Sequence, residues 1–146
     1  MCFAFLIGSD RPIAARDVAA GSRVVEVRPS QDDTRLRVVG RKYVAEVSTD
    51  GGGCCCDLVL PIPQDWMPQE EIDSYPDARK AQVHLLKALE DHVRYIADPD
   101  ITLVYYWEGE LAGAVKDEGY ATLGSIMQLD VDFPFRNPLR FKVRLT

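Results

Sequence analysis

The chain has 146 residues, 47% of them hydrophobic and 27% charged. That suits one domain able to bury roughly two thirds of the surface its unfolded chain exposes, and it excludes a disordered or fibrous protein. Twenty-three acidic residues against 17 basic ones leave a net charge of −6. This charge argues against nucleic acid and against an anionic membrane surface as partners.

Cys2 to Ile7 is apolar on both faces and reads as a central strand, ended by the turn residues Gly8-Ser9-Asp10-Arg11-Pro12. No Lys or Arg precedes this segment and no small-residue cleavage site follows it. It is therefore expected to be structural rather than an export signal, and the protein to be cytoplasmic. Ser22 to Arg28 alternates, with Val25 and Val27 on one face and Val24, Glu26 and Arg28 on the other. That is a strand with one solvated face. Pro29 to Asp33 reads as loop, Leu36 to Val39 as a short strand and Tyr43 to Ser48 as a longer one. The tract Gly51-Gly-Gly-Cys54-Cys55-Cys56 follows, and then an extended, proline-rich connector from Pro61 to Pro68.

The spacing of Ala78, Ala81, Leu85, Leu86, Leu89, Val93 and Ile96 predicts a helix over 76–97, with Ser74 as its cap and Pro76 in its first turn. Asp98-Pro99 stops it. Ile101 to Trp107 is a second apolar strand suited to the sheet centre. Residues 112–129 are ambiguous, with a short helix starting near Thr122. Leu139 to Leu145 alternates apolar residues with Arg140, Lys142 and Arg144, a strand with a basic outer face. The order predicts a single α+β domain over 1–146. Its sheet is antiparallel or mixed, of about 5–6 strands, with one long helix on a face.

The chemistry-bearing residues are the four cysteines, three of them in one tripeptide. In an extended strand Cys54 and Cys56 share a face, about 6.6 Å apart at Cβ, and Cys55 points away. The preceding glycines permit a bend that would bring the pair together, and Cys2 joins them if the first strand pairs with this region. Three readings stay open. Cys2, Cys54 and Cys56 bind a metal such as zinc, with Cys55, Asp57, a histidine or water as fourth ligand. One thiol is a nucleophile or redox centre, which needs a neighbouring cation, histidine or helix N-terminus. Or the cysteines are small buried hydrophobes in a non-catalytic module that docks a protein partner or a second copy through a sheet face or edge.

The remaining candidates have plain structural explanations. His84 falls off the helix stripe and His92 on its flank. Gln82 falls inside the stripe and needs hydrogen-bond partners if buried. Tyr105, Tyr106 and Trp107 with Trp66 could line a groove, but aromatic residues in an apolar strand are more often core. Asp98/Asp100 and Asp130/Asp132 have the spacing of carboxylate pairs, yet flank turn-like proline segments that suit solvated loop ends. The phosphate-loop, dinucleotide, serine-hydrolase and zincin fingerprints are absent.

The segments taken together resemble a family of short bacterial proteins of unassigned activity. These open with Met-Cys, an apolar strand and a Ser-Asp-x-Pro turn, matched here by Met1-Cys2 and Ser9-Asp10-Arg11-Pro12. Their Tyr-Val strand runs into Gly-Cys-Gly-Cys, matched by Tyr43-Val44 and Gly53-Cys54-Cys55-Cys56. Their apolar strand ends in Trp-Asp-Gly-Asp, where this chain has Trp107-Glu108-Gly109-Glu110. The resemblance implies that Cys2, Cys54 and Cys56 form the site. Cys55 departs from the pattern by replacing a glycine. The resemblance supplies no reaction.

Overall fold

Two strands that are apolar on both faces lie side by side in the middle of the sheet. They are β1 (Phe3–Ser9) and β5 (Asp100–Trp107), paired antiparallel with Phe5 opposite Tyr105 and Ile7 opposite Leu103. The computed structural model describes residues 3–49, 58, 63–107, 111, 114–123 and 138–144. Around the central pair stand β2 (Arg16–Ala20), β3 (Arg23–Ser30), β4 (Tyr43–Thr49), β6 (Lys116–Ala121) and β7 (Leu139–Arg144). The order across the sheet is β2-β3-β4-β1-β5-β7-β6, antiparallel except for the parallel β6–β7 pair. The α+β expectation holds, and the seven strands among the described residues exceed the expected 5–6.

Among the described residues two helices flank the sheet, one on each face. The longer, α2, runs over Gln69–Ile96, starting seven residues before the expected boundary. Its first turn carries Glu70 and Glu71, which suit the positive end of the helix dipole. Pro76 therefore lies inside the helix rather than at its start. It is solvent-exposed, and its missing N–H leaves one carbonyl of the preceding turn without its helical partner. Ser74 is no cap, because its hydroxyl donates back to the Glu71 carbonyl at 3.1 Å.

The C-terminal half of α2 buries Leu85, Ala88, Leu89, Val93 and Ile96. They belong to one buried cluster with Phe5, Ile7, Val25, Val27, Ala45, Val47, Leu103, Tyr105, Phe141 and Val143 from the sheet, and α2 lies closest to β2 and β3. Phe5 and Tyr105 stack within this layer with ring centres 5.0 Å apart. Apolar burial at about 25 cal/mol per Å² makes this layer the main source of stability.

Leu36–Val39, expected as a strand, belongs to the helix α1 (Asp33–Val39). The β-branched Val38 and Val39 suggested extension, but the ends decide otherwise. The Asp32 carboxylate accepts from the Arg35 N–H at 2.9 Å. Gly40, left-handed at φ 71°, donates its N–H to the Leu36 carbonyl. The helix lays Val38 and Val39 on the opposite sheet face, against Ala4, Leu6, Val44, Val104 and Tyr106. Gly8, within β1 rather than in a turn, makes this contact possible. A Cβ there would collide with Val39 Cγ1 and come within 3.1 Å of Arg41 Cγ.

No helix among the described residues is long and apolar enough to cross a membrane.

Candidate functional site

The α1 face is covered over β1, β4 and β5. Beyond the end of α1 it opens into a cleft of about 890 Å³. Its floor is the outer face of β5, β7 and β6, where register places Thr102 beside Lys142 and Lys142 beside Tyr120. Its walls are the corner after α1, at Gly40 and Arg41, and the turn from α2 into β5, at Asp98 and Asp100. The basic outer face expected for the last strand is this floor.

Chain reversal after α2 delivers the acidic wall. Ala97 takes the left-handed conformation at φ 59°, a strained choice for a residue with a Cβ, and the chain folds back on β1. Asp98 is 6% exposed, not a solvated loop end. Its Oδ2 accepts from the Ser9 hydroxyl at 2.7 Å, the Asp10 N–H at 3.0 Å and Arg41 Nη2 at 3.0 Å. Its Oδ1 accepts from the Asp100 N–H at 3.1 Å. Burial alone would push this carboxyl up. The Ser9 hydroxyl, the two backbone donors and the Arg41 charge outweigh it and hold the group below the ordinary carboxylate value. Arg41 also bonds the Thr102 hydroxyl and the Asp100 carbonyl, and its Nε lies 3.2 Å from an Asp10 oxygen.

The basic side is built around Arg140. Its Nε and Nη2 grip both oxygens of Asp117 on β6, at 2.6 and 2.8 Å, and Nη1 donates to the Val38 carbonyl at the end of α1. The bidentate bond holds the Asp117 carboxyl below its usual value. The cleft thus has a rigid frame, two guanidinium clamps that fix α1, β5, β6 and β7 together.

Lys142 is different. It makes no ion pair among the described residues, lies 5.7 Å from the Tyr120 ring, and acts on Asp117 only at longer range. Tyr120 is 54% exposed, and Arg144 sits 4.0 Å over its ring. Asp100 Oδ1 accepts no hydrogen bond from the described residues.

The expected site residues fare unevenly. Cys2, Cys54 and Cys56, with Cys55 and Asp57, lie outside the described residues, as do Asp130 and Asp132. Among the described residues no group of three or more His, Cys, Asp or Glu side chains is placed to hold a metal ion. His84 is exposed. His92 is buried at 2%, and its Nε2 donates to the Val25 carbonyl at 2.8 Å. Burial, with the Arg16 charge nearby, lowers its pKa against the opposing pull of that bond and of Asp91 and Asp17. Gln82 is fully buried and finds its partners, donating to the Leu58 carbonyl at 2.7 Å and accepting from Arg79. Tyr105 and Tyr106 are core, whereas Trp66 is exposed.

Sequence reasoning passed over Arg41, Asp117 and Tyr120. The Asp98/Asp100 spacing and the basic alternation of 140–144 were its visible traces.

The fold and cleft define an α+β protein with one sealed sheet face and one partly open, charged face. No family model, no curated protein and no solved structure matches the chain.

Proposed function

We propose that this protein binds a small polar molecule in the cleft between α1, β5, β7 and β6. One observation carries the reading. The cleft's volume of about 890 Å³ falls in the ~300–1,000 Å³ range of small-molecule sites. Its lining is charged, so the ligand is polar, and the Arg41 and Arg140 clamps form the site before anything arrives.

A thermal-shift screen of polar metabolites at pH 7 tests this. A ligand at about 100 times its Kd adds about 2.7 kcal/mol to stability, which raises the Tm by several degrees. The expected result is a rise in the wild type that disappears in Lys142→Glu. A library with no stabilising compound, or a rise unchanged in that variant, ends the proposal.

A second reading keeps the thiols. β1 and β4 are antiparallel neighbours with Phe5 opposite Val47, so Phe3 and Thr49 lie at the same end of the sheet. The chain leads from Phe3 to Cys2 and from Thr49 toward Cys54, Cys55 and Cys56. This supports a cluster of Cys2, Cys54 and Cys56 that binds zinc or carries a reactive thiol. Elemental analysis of anaerobically purified protein is expected to give one zinc per chain. Zero metal, together with iodoacetamide reactivity like that of free cysteine at every thiol, removes this reading.

A further inference from the structure

The charges on the cleft floor lie in rows across β5, β7 and β6. Arg140, Lys142 and Arg144 occupy alternate positions of β7 and so share its outer face. In the first row Arg140 stands opposite Asp117 and grips both its oxygens. In the last row Arg144 stands opposite Asp100, and opposite charges so placed attract. The middle row holds no carboxylate. Lys142 has Thr102 beside it on β5 and Tyr120 beside it on β6. The acidic wall answers to Arg41, which takes Asp98 at 3.0 Å and Asp10 at 3.2 Å. Asp10 is also 69% exposed at its side chain, where water and salt screen it. Each carboxylate lining the cleft among the described residues therefore faces a guanidinium. Lys142 is exposed, lines the cleft and has no ion-pair partner among the described residues.

We infer that the ligand is a small monocarboxylate whose carboxylate pairs with Lys142 on the cleft floor, beside the exposed Tyr120. The inference deepens the cleft reading and rests on it. Charge matching sets the class. One uncompensated ammonium suits one negative charge. A phosphate monoester carries about −1.5 to −2 at pH 7, and its second charge would meet no free cation and three aspartates, Asp98, Asp100 and Asp117. An amine would set like charge against Lys142. Tyr120 is more than half exposed and lies beside Lys142 in register, and its hydroxyl is a donor suited to a carboxylate oxygen. The remainder of the ligand carries no charge, because every other charge on the floor already faces its opposite.

Three probes of matched size test this against the ¹⁵N-labelled full chain, with amide shifts followed by NMR: propionate, propionamide and ethyl phosphate. Propionate is expected to move the Thr102, Lys142 and Tyr120 amides with a Kd about tenfold or more below those of the other two, the worth of one charge-assisted bond. In Lys142→Met and Lys142→Gln its affinity falls by a similar factor, while dispersed spectra show the variants folded. Lys87→Met, which removes an exposed lysine from α2, leaves it unchanged. Equal binding of propionamide, or ethyl phosphate binding as tightly as propionate, overturns the inference. So does an affinity that survives both Lys142 variants or falls equally in Lys87→Met. No cleft shift with any probe also overturns it, and the cleft reading then falls only if the metabolite screen is empty as well.

Discussion

The two faces of the sheet are built on opposite terms. Under α2 the layer is mostly apolar, and Gln82 and His92, polar side chains admitted there, are each bonded to a backbone carbonyl. Under α1 a small apolar patch gives way to guanidinium clamps and an open charged floor. Apolar layers tolerate no gaps, because each lost contact goes uncompensated. Charged clefts keep their shape through directional bonds and leave room for a guest. The apolar layer and the charged cleft are therefore housed on different sides of one sheet.

The widest test of that division is truncation in the sealed layer. Leu89→Ala is expected to cost about 2–5 kcal/mol by urea unfolding, since Leu89 is fully buried among core side chains. A loss under about 1 kcal/mol would show that the layer is loosely packed. On the other face the expected sensitivity is steric. Gly8→Ala places a methyl group against Val39 and Arg41, and overpacking of this kind costs about 1–3 kcal/mol. Since Gly8 also lies beside Thr102 in register, cleft binding should weaken with it. A Gly8→Ala protein of unchanged stability would mean that α1 rides loosely on the sheet.

The smallest effect separates the faces by pH. His92 has a lowered folded pKa, so the unfolded state binds its proton more readily. Its contribution is complete above the unfolded value of about 6.5 and is lost as pH falls below it. Asp98, also lowered, contributes above its unfolded value of about 3.9 and loses that contribution as pH falls further. Urea midpoints measured from pH 8 to pH 3 should decline in two windows, the sealed face first. His92→Gln should remove the upper decline alone. A single decline below pH 4 in the wild type would contradict the assignment of His92.

Much of the sealed face was legible in the sequence. The alternation of Val25 and Val27, the stripe from Leu85 to Ile96 and the two apolar strands all announce burial by local pattern. The cleft was nearly invisible because its parts come from four separate segments. Asp98 meets Ser9 across 89 positions and Arg140 meets Val38 across 102. Such pairs leave no periodic trace. β2 and β6 were missed for a related reason. Arg16-Asp-Val-Ala-Ala20 and Lys116-Asp-Glu-Gly-Tyr-Ala121 have weak strand propensity, and each is extended because a neighbouring strand offers it a ladder. Helix α1 could have been read from its ends, Asp32 and Gly40, had the paired valines not pointed the other way. Local propensity describes the middle of an element, and caps fix its identity.

Among the described strands β1 comes first in the chain, yet its two neighbours are β4 and β5. Neither of its edges can be satisfied within its own stretch of chain, and its second partner is complete only at Trp107. A growing chain therefore carries an apolar strand, Ala4 to Ile7, with one edge open from the completion of β4 until that of β5. Such non-local pairing slows folding and exposes sticky intermediates to one another. The strand at the heart of the finished sheet is thus secured on its second edge only after Trp107 has been made, and until then it is an aggregation hazard.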